Sequence, residues 1–167
     1  MNIPVAPARG QTGLRAVVIL TLLLLVVLAF VPDEANPNPA VSALLLGLAA
    51  LLGAVFWLAP RRLSYMLTED ALLVGKLTGP VRLPYTCLSA RRASRGLGLK
   101  MGGTGLPGYY SGNYVYNADG LNNVLDAASN TDGGVLVTSV GRTFFLTPSD
   151  PDAFLRELAA RGVEASA

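Results

Sequence analysis

The chain has 167 residues, a formal net charge of +2, one cysteine and no histidine. The absence of histidine argues against Ser-His-Asp and Cys-His nucleophilic systems and against most catalytic zinc sites. A single cysteine excludes an intrachain disulfide. From Arg61 onward there are eleven Lys and Arg residues against nine Asp and Glu, and this balance, with no recognised motif, argues against nucleic-acid binding.

Two apolar blocks, 16–31 and 40–60, lie in a stretch without Lys or Arg that runs from Arg15 to Arg61. A helix needs about 20 apolar residues to cross a bilayer. We therefore predict two transmembrane helices in a hairpin. The predicted boundaries are an N-terminal tail 1–13, a first span 14–31, a loop 32–39 and a second span 40–60.

Charge predicts the orientation of this hairpin. Arg9 and Arg15 precede the first span, and Arg61 and Arg62 follow the second, whereas the loop carries only acidic charge. The positive-inside rule then places both termini in the cytoplasm and the loop outside. A cleaved signal peptide is the alternative, since it also has a basic start and an apolar core.

The remaining part, 61–163, shows short β-like runs between turn residues, with a tail at 164–167. A final helix is predicted from Asp150 as N-cap, proline at position 151 and an apolar stripe that includes Phe154 and Leu158; Gly162 ends it. The sequence thus predicts two transmembrane helices followed by a mainly-β barrel or sandwich with a C-terminal capping helix. The predicted strands are 64–67, 71–77, 81–83, 112–116, 121–128, 134–140 and 142–146.

Four short segments make residues 64–162 similar to the bacterial pleckstrin-homology (PH) domains that are found attached to membrane spans. The resemblance implies a PH-like fold and the bacterial cytoplasmic membrane as location, and it brings no catalytic residues and no cofactor. The segments are 67–72 (LTEDAL), 82–85 (RLPY), 105–112 (GLPGYYSG) and 147–151 (TPSDP).

A basic segment forms the first candidate contact surface. No acidic residue lies between Asp70 and Asp119, and we single out the four cations Arg91, Arg92, Arg95 and Lys100. This segment is either a solvated face or a surface for anionic lipid headgroups.

The second candidate is the Gly/Tyr-rich stretch 102–112, predicted as a loop with Tyr109 and Tyr110 as contact residues. It fits the pattern G-x-G-x-x-G, but Pro107 removes an amide that a dinucleotide phosphate would need.

Two functional hypotheses follow. The first is a non-catalytic, membrane-tethered PH-like module that presents a cytoplasmic surface to a protein partner or to anionic lipid. The alternative is a sensor or enzyme that uses 102–112 as a small-ligand site. No catalytic, metal or cofactor-binding residue is predicted. The expected partners are the bilayer, anionic lipid headgroups and an unknown protein. Small residues such as Ala43 and Gly47 are predicted to pack against the first span of the same chain, with self-association of two copies as the alternative.

Overall fold

The computed structural model describes residues 1–9, 12–31, 39–116, 118 and 120–166. The chain divides into two compact units. One is a helical unit over Gly10–Leu58, and the other is a mainly-β unit made of Met1–Arg9 together with Ala59–Ala167.

The helical unit contains α1 (Thr12–Phe30) and most of α2 (Pro39–Arg62). Only α2 is clearly long and apolar enough to span a membrane, and the apolar stretch Arg15–Phe30 of α1 is shorter. The length criterion therefore supports one of the two predicted spans. Most of the predicted loop, 32–38, lies outside the described residues. Within this unit a Cβ placed on Gly53 would lie 4.0 Å from Leu22 Cδ1, so the two helices contact each other.

The mainly-β unit has two sheets. The first has four antiparallel strands in the order β1-β2-β3-β4, and the second has seven strands in the order β11-β5-β9-β10-β8-β7-β6. Among the described residues, no strand of one sheet is hydrogen-bonded to a strand of the other. The two sheets are therefore open, and the prediction of a closed barrel was wrong. The strands are β1 (Asn2–Ile3), β2 (Ser64–Leu67), β3 (Ala71–Gly75), β4 (Val81–Pro84), β5 (Leu88–Arg92), β6 (Lys100–Leu106), β7 (Tyr109–Tyr116), β8 (Leu121–Ala128), β9 (Val135–Ser139), β10 (Arg142–Leu146) and β11 (Glu164–Ser166).

Alternation along the strands creates two apolar clusters. Phe144 belongs to the main core and Phe145 to a second cluster, and adjacent residues of a strand point to opposite faces. The main core therefore lies on one face of the seven-stranded sheet and the second cluster on the other. Ala93 and Leu97, from the segment between β5 and β6, pack against the second cluster.

The predicted C-terminal helix is confirmed as α3 (Pro151–Ala159). The Asp150 side chain accepts a hydrogen bond from the Ala153 amide at 2.9 Å, which satisfies one of the free amides at the helix start. Phe154, Leu155 and Leu158 are buried in the main core. Residues Glu164–Ser166 of the predicted tail form β11, which pairs in parallel with β5.

The first nine residues of the predicted N-terminal tail are also folded. Residues Met1–Arg9, here called the N-terminal arm, belong to the mainly-β unit. Its strand β1 pairs with β2, and further along the Ala6 amide donates to the Thr147 carbonyl at 2.9 Å. Asn130 holds the end of the arm, since Nδ2 donates to the Pro7 carbonyl at 3.0 Å and Oδ1 accepts from the Arg9 amide at 2.8 Å. The sequence did not show this because backbone pairing at a sheet edge needs no particular side chain.

The arm should contribute measurably to stability. A helix-free fragment that joins Met1–Arg9 through a short linker to residues 59–166 is expected to be about 2–4 kcal/mol more stable than a fragment that starts at Arg62. The difference comes from the lost hydrogen bonds and from the partly buried Ile3 and Val5,. Urea unfolding followed by circular dichroism measures both fragments. Equal midpoints would show that the arm is only loosely attached.

Candidate interaction surface

The structure separates the four cations of the basic segment. Arg91 and Arg92 lie at the end of β5, Arg95 lies in the connection to β6, and Lys100 begins β6. Arg92 forms an ion pair with Asp152 in the first turn of α3. Arg91 lines a cavity of about 200 Å³ that also includes Glu164 and Thr138. Each of these two arginines is thus near an acidic residue far away in sequence.

Arg95 and Lys100 have a different environment. Both are exposed, and neither forms an ion pair with a described residue. Between and beside them lie Leu99, 71% exposed, and Met101, 64% exposed. We call these four residues the 95–101 strip. The sequence analysis did not single out Leu99 and Met101, although their positions on either side of Lys100 could have indicated a mixed apolar and basic surface.

The backbone of the strip is held in place by hydrogen bonds. The Arg95 amide donates to Tyr116 Oη at 3.1 Å, and the Leu97 amide donates to the Thr131 carbonyl at 2.7 Å. Two residues further along, the Leu99 carbonyl accepts a hydrogen bond from the Val115 amide at 2.9 Å. The strip is therefore fixed on the rim of the seven-stranded sheet, where β6 is an edge strand.

The two tyrosines of the second candidate surface have separate roles. Tyr109 is 1% exposed, and its hydroxyl accepts a hydrogen bond from the Leu77 amide at 3.0 Å. Its side chain is therefore in the core and not on a contact surface. Tyr110 is half-buried, and burial raises the pKa of its hydroxyl.

The stretch 102–112 is a β-hairpin rather than an open loop. β6 and β7 pair antiparallel from Gly102 to Asn113 and are joined by a buried turn at Pro107 and Gly108. Gly108 has a φ of 79°, a conformation that favours glycine. A Cβ at this position would lie 3.4 Å from Ala8 Cβ and 3.7 Å from Pro60 Cβ. The turn therefore packs between the N-terminal arm and the end of α2.

Asp126 is a buried carboxyl that was not among the residues singled out from the sequence. It lies on β8 opposite Gly112 of β7 and Phe145 of β10, it is 0% exposed, and neither oxygen has a partner among the described residues. Burial raises its pKa to about 9, and the charge of Lys76 opposes this only in part. Asp126 is therefore neutral at pH 7.

Burial also shifts the pKa values of the groups near Asp126. Burial raises the pKa of Tyr114 to about 12, and the Asp126 charge contributes to that shift. Burial also lowers the pKa of Lys76. Among the described residues, no group of three or more Asp, Glu or Cys side chains could hold a metal ion. Asp126 is thus a buried carboxyl whose charge interacts with Lys76 and Tyr114.

Comparison with known proteins gives one match. Residues 63–162 match the model of a family described as a bacterial PH domain. Neither the curated proteins nor the solved structures yielded a match. The matched residues include β2 to β10 and α3, which are most of the mainly-β unit and more than half of the chain. The chain belongs to the bacterial PH-domain family.

Proposed function

We propose that this protein is a non-catalytic interaction module that a helical hairpin tethers to the cytoplasmic face of the bacterial inner membrane. One observation carries the proposal. The residues that precede α1 and the residues that end α2 belong to the same folded unit, and Ala8 and Pro60 both lie against the Gly108 turn.

This arrangement constrains how often the chain crosses the membrane. A folded unit lies on one side of a bilayer, so the chain between Arg9 and Ala59 must cross an even number of times. In this proposal α2, which is long and apolar enough, crosses once, and α1 provides the second crossing. Its 19 residues give a helix of roughly 28 Å, close to the thickness of the hydrocarbon core.

The signal-peptide alternative is disfavoured by the same contacts. Cleavage after α1 would remove the N-terminal arm, which supplies β1 and the partners of Asn130 and Thr147. The buried Asn130 side chain would lose its acceptor at Pro7, and unpaired buried amides are costly.

The cytoplasmic orientation is supported by charge. Arg9 and Arg15 flank one end of the hairpin, Arg61 and Arg62 flank the other, and the connecting segment is acidic. This asymmetry follows the positive-inside rule.

A pair of reporter fusions tests the orientation. Fused to the C-terminus, a fluorescent protein that folds only in the cytoplasm should be bright and alkaline phosphatase should be inactive. Replacing Arg61 and Arg62 with glutamate provides the matched perturbation, because it removes half of the flanking positive charge. Active phosphatase on the unmodified chain would refute the cytoplasmic assignment.

The sensor or enzyme hypothesis has less support. Residues 102–112 are occupied by paired strands and a packed turn, and Tyr109 is in the core. A small-ligand site needs a concave, open pocket with convergent polar groups. Within the described part of the mainly-β unit, the exposed rim at β6 of the seven-stranded sheet is a surface open to partners.

A further inference from the structure

We propose that the 95–101 strip is a second membrane contact, in which Leu99 and Met101 enter the interface of an anionic leaflet while Arg95 and Lys100 bind lipid phosphates. This inference rests on the proposed tethering and adds a specific lipid class and a specific set of residues to it. The partner is a phospholipid bilayer with net negative charge.

The exposure of the two apolar side chains is the first argument. Leu99 and Met101 are close in sequence and are among the most exposed large apolar residues of the mainly-β unit. Scattered exposed apolar residues are normal on a protein surface, but grouped ones mark contacts with other molecules or with membranes. A leucine and a methionine at a headgroup boundary bury apolar area against the acyl chains.

The charge of the strip is the second argument. Elsewhere in this unit Arg82, Arg92 and Arg161 each pair with a carboxylate, whereas Arg95 and Lys100 pair with none that the structure describes. No acidic residue occurs between Asp70 and Asp119, so the β6–β7 hairpin carries no negative charge of its own. Positive charge at this rim complements the negative potential of an anionic leaflet.

Preorganisation is the third argument. The amides of Arg95 and Leu97 donate hydrogen bonds to Tyr116 and Thr131, so the backbone of the strip is ordered before contact, which lowers the cost of binding. A flexible basic tail would lack this advantage.

Chain connectivity sets a geometric requirement for the contact. β6 runs from the strip to the turn at Pro107 and Gly108, which packs against Pro60 near the end of α2. Seven residues of strand cover about 23 Å. The proposal therefore requires β6 to lie along the bilayer surface, because exposed charges attract lipid only within a Debye length of about 8 Å.

The experiment uses the full chain in nanodiscs and an environment-sensitive fluorophore on a single cysteine. Cys87 is exposed, so Cys87→Ser provides the background. The probe is placed at Met101→Cys, and the matched control is Val140→Cys, since Val140 is 80% exposed in the β9–β10 turn. Quenching by spin-labelled lipid is compared in anionic phosphatidylglycerol discs and in zwitterionic phosphatidylcholine discs, with iodide as the aqueous quencher.

Lipid quenching at position 101 should be strong in anionic discs, weaker in zwitterionic discs and absent at position 140. Combining Arg95→Ala with Lys100→Ala should reduce the contact equilibrium about thirtyfold, and raising the salt should act in the same direction. Quenching at 101 by iodide alone would overturn the proposal. Protection from both quenchers would overturn it in favour of a second copy of the chain on the β6 edge.

Trp57 separates failure of this inference from failure of the tethering. It is the only tryptophan of the chain and lies on α2. Its quenching by the same lipids reports insertion of that helix. Quenched Trp57 with an unquenched probe at 101 refutes the strip alone, whereas unquenched Trp57 refutes the tethering proposal.

Discussion

Replacing Phe154 with alanine is expected to lower the free energy of unfolding by about 3–5 kcal/mol. Phe154 is 1% exposed in the main core, and its ring centroid lies 6.5 Å from that of Tyr65. Truncation leaves a cavity between α3 and the sheet that the rigid neighbours cannot fill. Urea unfolding of the helix-free fragment that retains the N-terminal arm provides the measurement.

Arg156 offers a matched control on the same helix because its side chain is exposed. Arg156→Ala should change stability by less than about 0.5 kcal/mol. A loss of under about 1 kcal/mol for Phe154→Ala would mean that α3 lies loosely on the sheet and would contradict its position in the core.

Asp126→Asn is expected to remove a large part of the pH dependence of stability. The folded-state pKa of Asp126 is raised from 3.8 to about 9 by burial, so the unfolded chain releases its proton at a lower pH than the folded one. The wild-type protein should therefore be most stable, with respect to this group, below about pH 4. Its stability should fall by up to about 1.4 kcal/mol per pH unit between the two pKa values and then level off above about pH 9.

The Asp126→Asn variant cannot ionise at this position, so its stability should change much less over the same range. Unfolding midpoints in urea between pH 4 and pH 9 give the comparison, and Asp132→Asn, at an exposed acid, is the control. Parallel pH profiles for the wild type and Asp126→Asn would show that the carboxyl is ionised in the folded state and has partners.

Local patterns predicted the elements that depend on side chains. The N-cap at Asp150 and the stripe through Phe154 and Leu158 specified α3, because capping and helical periodicity are local signals. Apolar runs likewise located strands such as β8 and β10, and the order of short motifs led to the family.

Other elements have no such signal. β1 is two residues long and pairs through its backbone, while β6 contains Gly102, Gly103 and Gly105. Because glycine disfavours strands in isolation, the sequence analysis predicted a loop here. In the structure β6 is a strand because β7 provides its pairing partner.

The candidate surface was predictable only in part. Four cations close in sequence were expected to act together, but Arg92 is paired with Asp152, 60 residues away. Arg91 lies beside the polar cavity, and only Arg95 and Lys100 remain as an exposed pair. The burial of Asp126 could not be predicted, because an acidic residue in a strand is normally exposed. The residues that bury it lie on other strands.

Single-cysteine labelling in intact cells tests the double-crossing hairpin most directly. In the Cys87→Ser background, Asn36→Cys lies in the predicted outer loop and Val140→Cys lies in the mainly-β unit. A membrane-impermeant maleimide should label position 36 from outside, and it should label position 140 only after the inner membrane is permeabilised. Labelling of position 140 from outside, or of both positions only after permeabilisation, would contradict a hairpin that crosses the membrane twice with its folded unit in the cytoplasm.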